Sequence, residues 1–381
     1  MPLRTREQYV LEATIAPDFF LNSREKPLLI DEWQHINFIW DQIKVEVDNA
    51  GLFGQFILTG SVTDLDVNDV EYKQRQTGNG RIVRKKMRTM SLYESGESNG
   101  LVSIIDLKNG SFKVARSTMT LSDYAFCICR GGWPMAINQP EEIALVQAKD
   151  YYEVLVTDDI FSLKNIPMIK DEYKARKVMR SYSRNISIAA STQTLLDDCT
   201  SGDSTFDKET FYKYLTALEN SHVVEELPAW NPNLRSKTAI RTKATRHFID
   251  PSIASAALGL TPTALFKNIH TFGLLFESLV IRDLRVYCDT INAKVYKYRD
   301  SKKIEADAVI VFEDGTWALV EVKLGGQSDI EYAATRLLEI AKDIDEEKTG
   351  NMSFFMVVTK DSLAYRRPDG VYVVPLGCLR N

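Results

Sequence analysis

IEADAVIVFEDGTWALVEVKLG, residues 304–325, is the most informative segment of this sequence. It contains two apolar runs rich in β-branched residues, which are typical of buried strands. The tripeptide Glu-Asp-Gly between the runs predicts a three-residue hairpin loop, with Gly315 in the left-handed conformation that glycine adopts most easily. The segment therefore predicts a β-hairpin in which Phe312 faces Thr316.

Three charged side chains share one face of this predicted hairpin. The register places Asp307 opposite Glu321, and Lys323 lies two residues further along the same face. Charged groups are costly to bury unless they are paired or have a function. One hypothesis is a metal site, in which Asp307 and Glu321 bind Mg²⁺ and Lys323 orients a water or stabilises charge on a phosphate. The alternative is structural, because the same register lets Glu305 pair with Lys323 at a sheet edge.

The spacing of these residues resembles a known motif. Asp307, thirteen intervening residues and the Glu-Val-Lys of residues 321–323 resemble the PD-(D/E)XK motif of restriction-endonuclease-like proteins. The surrounding sequence predicts a helix at 273–287, three strands, a helix and two more strands, which is the element order of that nuclease core. The resemblance implies a role for Glu277 as the additional acidic residue that some of these enzymes place at the metal. The alternative for Glu277 is a solvated or helix-pairing glutamate.

Length and composition bound the possible classes of protein. A chain of 381 residues is long enough for two or three domains with hydrophobic cores. Its formal net charge is −5, so nucleic-acid binding would depend on a local basic patch. Five cysteines and four histidines lack the spacing of a disulfide framework or zinc site, which predicts reduced thiols and a cytoplasmic protein. No segment has the pattern of a signal peptide or membrane span, so no membrane partner is expected.

An apolar strand that ends in two acids, LLIDE, occupies residues 28–32. A predicted helix follows, and FILTGS at residues 56–61 predicts a second buried strand, so the order is that of a parallel α/β layer. A strand ending in Asp-Glu has the form of a Walker B motif. In that motif Asp31 would hold the water shell of Mg²⁺ and Glu32 would activate water for attack on the γ-phosphate. Thr59 on the neighbouring strand would be the sensor residue that contacts this phosphate.

Four segments in this order, LLIDEWQ, GQFILTGS, GRIVRKKMRTMSLYESGES and CRGGWP, resemble a family of prokaryotic predicted AAA+ ATPases. Members carry an N-terminal P-loop ATPase domain and a C-terminal region long labelled a domain of unknown function. That region resembles a winged helix followed by a restriction-endonuclease-like fold. The resemblance implies ATP as ligand, Mg²⁺ as cofactor, and a protein partner or homo-oligomer formed through the AAA+-like part.

The sequence departs from this family at the Walker A element, which in the family lies upstream of the position that Met1 occupies in this sequence. No Gly-x-x-x-x-Gly-Lys-[Ser/Thr] occurs in the 381 residues, nor does any Gly-Lys dipeptide. The amides and lysine of that loop provide most of the grip on phosphate, so Asp31 and Glu32 form half a site. The chain is therefore expected not to hydrolyse ATP. Two explanations stay open, an N-terminally shortened family member or a start codon assigned too late.

The middle of the chain combines helices with a basic loop. Helices are predicted between residues 171 and 221, and residues 222–250 predict a β-hairpin with a long tip. Helices followed by such a wing are typical of winged-helix domains. Arg235, Lys237 and Arg241 make the tip basic, which predicts contact with DNA phosphates. The alternative is a domain that docks another protein.

We therefore predict an α/β protein of three parts. Residues 1–120 would form a truncated P-loop AAA+-like parallel sheet, residues 121–262 a helical and winged-helix domain, and residues 263–381 a PD-(D/E)XK restriction-endonuclease-like α/β domain. The predicted function is that of an AAA+-family ATP-binding protein with a nuclease-like C-terminal domain, acting on or near nucleic acid and defective in ATP hydrolysis. The alternative is an interaction or regulatory module that keeps both folds without either chemistry.

Overall fold

A computed structural model describes residues 3–36, 38–60, 80–159, 171–201, 206–231, 243–300 and 304–381. These residues form a mixed α/β structure with several sheets, as predicted. The chain divides into two units. The smaller unit lies within residues 1–87 and 158–170, and the larger unit lies within residues 88–157 and 171–381.

The smaller unit contains a short parallel sheet. Strands β1 (Leu28–Ile30) and β2 (Phe56–Leu58) pair in parallel over their whole length. The described part of this unit also contains the helices α1 (Leu3–Ile15), α2 (Pro17–Asn22) and α3 (Ile39–Ala50) and a short 3-10 helix at Trp33–His35. Helix α3 connects the two strands and ends at Gly51, which has a φ of 60° and supplies the left-handed cap. The predicted order of strand, helix and parallel strand is confirmed, but the predicted burial of the second strand is wrong, because Ile57 is 51% exposed.

Residues 88–120 belong to the larger unit. They contain β3 (Val102–Ser103), α4 (Ile104–Lys108) and β4 (Ala115–Arg116). Strand β3 pairs with the last strand of the chain, and β4 pairs with a strand at residues 363–366. These pairings place residues 88–120 with the C-terminal half of the chain, whereas the sequence grouped them with residues 1–87.

A run of capped helices follows. They are α5 (Leu121–Arg130), α6 (Glu141–Val154), α7 (Glu172–Arg184), α8 (Thr192–Thr200) and α9 (Lys208–Asn220). Most begin at a side chain that accepts a backbone N–H, as with Asp171, Ser191 and Asp207. After α9, antiparallel bridges join Val224 to Phe248 and Leu227 to Thr245, so the predicted hairpin pairing is confirmed.

The C-terminal part of the larger unit is a mixed sheet with helices. Its elements are α10 (Pro251–Ala257), α11 (Pro262–Leu265), α12 (Ile269–Thr290), β5 (Lys294–Arg299), β6 (Glu305–Val311), β7 (Trp317–Lys323), α13 (Gln327–Lys342), α14 (Glu346–Thr349), β8 (Met352–Thr359), β9 (Leu363–Arg366), β10 (Tyr372–Pro375) and β11 (Leu379–Arg380). Within the described residues the sheet order is β4-β9-β10-β8-β7-β6-β5. Strands β5, β6 and β7 are antiparallel neighbours, whereas β7, β8 and β10 run parallel.

The predicted hairpin forms in the predicted register. Ala308 pairs with Val320 and Val311 pairs with Trp317, and the Phe312 N–H donates to the Thr316 carbonyl at 2.9 Å. Gly315 has a φ of 83°, as the loop requires. The hairpin prediction is therefore confirmed, including the face on which Asp307 and Glu321 lie.

Helix α13 closes one side of this sheet. Its buried residues recur at helical spacing and pack against Trp317, Leu319 and Phe355: they are Ile330, Ala333, Ala334, Leu337 and Ile340. Full burial of a leucine or isoleucine stabilises a fold by about 1.5–3 kcal/mol, so this stripe holds the helix on the sheet. No helix among the described residues is long and apolar enough to cross a membrane.

Candidate functional site

Five charged side chains from four neighbouring elements of the larger unit meet beside the β5–β6–β7 sheet. Three are carboxylates and two are ammonium groups: Glu277 on α12, Lys297 on β5, Asp307 on β6, and Glu321 and Lys323 on β7. We call these five residues the acid–lysine cluster. The structure thus brings together every residue that the sequence assigned to the nuclease-like site and adds Lys297.

The hairpin itself positions three members of the cluster. Asp307 Oδ2 accepts the Val322 N–H at 2.9 Å, and Glu321 Oε2 accepts the Asp307 N–H at 3.3 Å. Lys323 Nζ lies 2.9 Å from Glu321 Oε1 and 4.0 Å from Asp307 Oδ2. Each carboxylate therefore binds the backbone of the neighbouring strand, which fixes its orientation.

The structural alternative, in which Lys323 pairs with Glu305, is wrong. Glu305 Oε1 lies 3.0 Å from Arg299 Nε, so it pairs across β5 and β6 rather than with Lys323. The solvated alternative for Glu277 is also wrong, because its side chain is only 14% exposed and its carboxylate lies 3.3 Å from Lys297 Nζ. Glu305 thus pairs outside the cluster, whereas Glu277 has its partner inside it.

Lys297 is the member that sequence reasoning missed. Its Nζ lies 3.3 Å from Glu277 Oε1 and 3.2 Å from Asp307 Oδ1, and its side chain is only 8% exposed. Strand alternation could not place it, because a β-bulge interrupts the pairing of β5 with β6 between Tyr296 and Tyr298. The sequence contained no separate signal for it, because β5 reads KVYKYR and also carries Lys294 and Arg299.

Burial and charge move the pKa values of the cluster in different directions. Burial raises the pKa of Glu277 to about 8, and the nearby Asp307 adds to the rise. Burial raises the pKa of Glu321 to about 7, again with a contribution from Asp307. Burial opposes ionisation of Asp307, but Lys297 and Lys323 outweigh it and lower the pKa of that carboxyl. Burial thus favours the protonated form of the two glutamates, whereas the two lysines favour the ionised form of Asp307.

The two lysines respond to the same carboxylates. Burial alone would lower the pKa of Lys297, but Glu277 and Asp307 together raise it. The pKa of Lys323 is likewise raised, since Asp307 and Glu321 outweigh burial. Both ammonium groups therefore stay charged at neutral pH and stabilise the ionised form of Asp307.

A Mg²⁺ ion shared by Glu277 and Asp307 does not fit in this arrangement. Among the described residues, no group of three or more His, Cys, Asp or Glu side chains is placed to hold a metal ion. The Lys297 ammonium contacts both Glu277 and Asp307, where a cation shared by these acids would have to lie. The proposed ligation by Asp307 and Glu321 stays a prediction of the family resemblance.

The predicted Walker B and sensor residues meet in the smaller unit. Asp31 follows β1, and its Oδ1 accepts a hydrogen bond from Thr59 Oγ1 at 2.5 Å. The Thr59 N–H donates to the Ile30 carbonyl at 3.1 Å, which continues the parallel pairing to this point. Glu32 has a left-handed backbone with a φ of 55°. The structure thus places Asp31 and Thr59 together at the carboxyl edge of the sheet, as predicted from the two strands.

A second set of charged side chains, formed by Arg282, Asp250 and Asp283, is fully buried in the larger unit. Arg282 on α12 lies 3.1 Å from Asp250 Oδ2 and 2.6 Å from Asp283 Oδ1. Asp250 Oδ2 also accepts the Gly132 N–H at 2.9 Å, and Asp283 Oδ2 accepts the Leu92 N–H at 3.0 Å. Leu92 and Gly132 belong to two of the segments that carry the AAA+ resemblance, GRIVRKKMRTMSLYESGES and CRGGWP, so this buried ion group anchors the backbone of both segments.

The predicted DNA-contacting residues Arg235, Lys237 and Arg241 lie outside the described residues. The chain that leads into them is described and lies beside the acid–lysine cluster. The Lys297 N–H donates to the Pro228 carbonyl at 2.8 Å, and the Trp230 N–H donates to the Lys297 carbonyl at 2.7 Å. The base of the predicted wing thus runs along β5.

Comparison with protein families gives two matches. Residues 121–264 match the model of a domain of unknown function, DUF8612. Residues 272–379 match the model of another, DUF4143, and this region contains the whole acid–lysine cluster. A search of the curated proteins and a search of the solved structures each found no match. Asp31 and Thr59 lie outside both matched regions.

Proposed function

We propose that this chain is an AAA+-family ATP-binding protein, defective in ATP hydrolysis, whose restriction-endonuclease-like C-terminal domain acts on or near nucleic acid. The observation that carries the proposal is the convergence of Asp307, Glu321 and Lys323 on one face of a hairpin, with Glu277 supplied by the preceding helix. The order of α12, β5, β6, β7, α13 and β8 supports the nuclease-like fold.

The N-terminal part of the proposal is supported by two observations. Asp31 and Thr59 end adjacent parallel strands and are hydrogen bonded, which is the arrangement expected of Walker B and sensor residues. Domains of the DUF4143 type are often found together with AAA ATPases. The sequence supplies no Walker A loop, so ATP and Mg²⁺ would be held weakly at best.

Nucleic acid is the proposed partner because the segment that leads into the basic residues of the wing lies beside the cluster. The wing base at Pro228–Trp230 lies against β5, and the basic tip with Arg235, Lys237 and Arg241 follows it directly in the sequence. Arg336 on α13 donates to the Glu305 carbonyl at 2.9 Å, which adds a guanidinium at the edge of the cluster. Lysine and arginine within reach of a phosphate backbone suffice for sequence-independent binding.

We expect binding of duplex DNA to weaken steeply as salt increases, because each neutralised phosphate releases counterions, with a log–log slope of roughly −0.9 per phosphate. Reversing the wing charges together, with Arg235→Glu, Lys237→Glu and Arg241→Glu, should weaken binding to unrelated sequences alike and flatten that slope. Fluorescence anisotropy of labelled duplexes from 50 to 300 mM salt, roughly the range over which such contacts are lost, measures both effects.

A matched control reverses the charge of three exposed lysines on α6, α9 and α13, with Lys149→Glu, Lys208→Glu and Lys342→Glu. It changes the net charge equally, so a similar loss of affinity would show a general charge effect rather than contact by the wing. Binding that does not depend on salt, or that survives the wing variant, would contradict the proposal and favour docking of a protein.

The chain should neither hydrolyse ATP nor bind Mg-ATP with micromolar affinity. No Walker A sequence occurs in the 381 residues, so the backbone amides and the lysine that would hold the triphosphate for attack are missing. Isothermal titration with Mg-ATP and a phosphate-release assay measure this directly. Micromolar binding that Asp31→Ala abolishes would contradict the expectation and reveal a phosphate site built from other residues.

A second candidate function is a non-catalytic interaction or regulatory module that keeps both folds. One observation favours it: the Lys297 ammonium contacts two of the acids that a metal-dependent nuclease would use. Under this alternative the C-terminal domain would bind nucleic acid or a protein without cutting it.

A further inference from the structure

Lys297 occupies a defined position between two elements. Its Nζ is 3.3 Å from a carboxylate oxygen of Glu277 on α12 and 3.2 Å from one of Asp307 on β6. A divalent metal shared by a helix acid and a strand acid would have to approach the same two oxygens, at about 2.0–2.1 Å for Mg²⁺. An ammonium and a divalent ion cannot both lie there, because they would repel each other at close range.

Lys297 is also held firmly in this position. Both its N–H and its carbonyl are hydrogen bonded to the wing base, to Pro228 and Trp230 respectively. Swinging its buried side chain to solvent would leave Glu277 and Asp307 without their shared cation, which is costly for buried acids. Lys297 is therefore a fixed counter-ion and differs from the more exposed Lys323, which bonds Glu321 instead.

We propose that the Lys297 ammonium replaces the divalent metal of this site, so that the native chain binds neither Mg²⁺ nor Mn²⁺ there and lacks metal-dependent nuclease activity. The part of the inference that concerns nuclease activity rests on the proposed function, whereas the part that concerns metal binding is measured independently of it. It carries a corollary. With the ammonium removed, Glu277, Asp307 and Glu321 face only one remaining lysine, and the space between the first two acids becomes available to a hard divalent cation.

The experiment titrates Mn²⁺ into the full-length chain and into Lys297→Met, with binding followed by isothermal titration and water-proton relaxation. We expect no saturable binding by the native chain below about 1 mM, a weak limit for protein sites with oxygen ligands. Lys297→Met should bind at least about tenfold more tightly, because a positive charge in direct contact with the ligands is gone. The double variant Lys297→Met/Glu277→Gln should lose this gain.

Lys323→Met is the matched control, since it removes the same charge from the same cluster. It leaves the Lys297 ammonium between Glu277 and Asp307, so it should gain no such affinity. An equal gain in both variants would overturn the positional claim and leave only a general charge effect. Submillimolar Mn²⁺ binding by the native chain, or Mn²⁺-dependent nicking of plasmid DNA that Glu321→Gln abolishes, would overturn the proposal outright.

The proposal can still be tested if Lys297→Met fails to fold. Lys297→Gln is the second variant, because its amide still donates to one of the acids. If either variant unfolds without metal, Mn²⁺ should restore its thermal transition, since an ion that binds only the native state stabilises it. Failure of Mn²⁺ to rescue both variants would overturn the proposal. DNA binding measured in EDTA on the native chain tests the proposed function separately, and its absence would leave the metal result intact.

Discussion

Replacing Arg282 by methionine should lower the free energy of unfolding of the larger unit by about 3–5 kcal/mol, the range for breaking a buried ion pair. Its side chain is 1% exposed and bonds Asp250 and Asp283, both of which are fully buried. Methionine fills similar space but leaves two carboxylates without a cation. Their backbone donors, Gly132 and Leu92, would then be bound to acids that favour the protonated state.

The loss of stability in the Arg282→Met variant should increase as the pH rises. Without Arg282, burial would raise the native pKa of Asp250 and Asp283 above the value in the unfolded chain. The native variant would then bind more protons than its unfolded state, so its stability would fall as pH rises. The difference from the native chain should therefore be smaller near pH 5 than near pH 8, within the range where unfolded aspartates are ionised.

Urea unfolding measures this effect if the signal comes from the larger unit alone. Changing Trp33 and Trp40 to phenylalanine leaves Trp133, Trp230 and Trp317, all in the larger unit, as the fluorescent probes. Arg184→Met is the control, because its side chain is 63% exposed and lies 3.7 Å from Asp198. An exposed pair of this kind contributes at most about 1 kcal/mol. Equal effects of the Arg184 and Arg282 changes would show that the buried ion group does not hold this unit together.

Gly132→Ala should destabilise the larger unit by about 1–3 kcal/mol, the usual cost of overpacking. A Cβ at this position would lie 2.1 Å from the Met90 carbonyl oxygen. The backbone cannot easily move away, because the Gly132 carbonyl accepts the Met90 N–H at 2.8 Å and its own N–H donates to Asp250. Any shift that relieves the clash thus weakens a hydrogen bond to a buried carboxylate.

Gly273→Ala is the matched control and should have the opposite sign. Gly273 lies within α12, and a Cβ there meets no atom within 4 Å. Alanine is favoured over glycine in a helix interior by about 1 kcal/mol, so this variant should be more stable than the native chain. The same fluorescence-detected urea unfolding compares the two. A Gly132→Ala chain as stable as the native one would contradict the docking of CRGGWP against Met90.

Local sequence was sufficient where neighbouring residues control the geometry. Gly315 and the alternation on either side of it set the hairpin register, so the shared face of Asp307, Glu321 and Lys323 followed from residues 304–325 alone. Asp31 and Thr59 could likewise be placed together, because the carboxyl ends of adjacent parallel strands meet at one edge.

Long-range packing supplied the rest. Lys297 entered the cluster through a β-bulge and through contacts with Pro228 and Trp230, and strand periodicity carries no information on either. Arg282 meets Asp250 across 32 positions of the chain. Strand β3 pairs with β11 more than 270 positions later, which is why residues 88–120 joined the C-terminal half. The local sequence thus determined the hairpin and its acids. Folding of distant segments determined which cations neutralise those acids, because burial and charge pairing depend on neighbours in space rather than on neighbours in the chain.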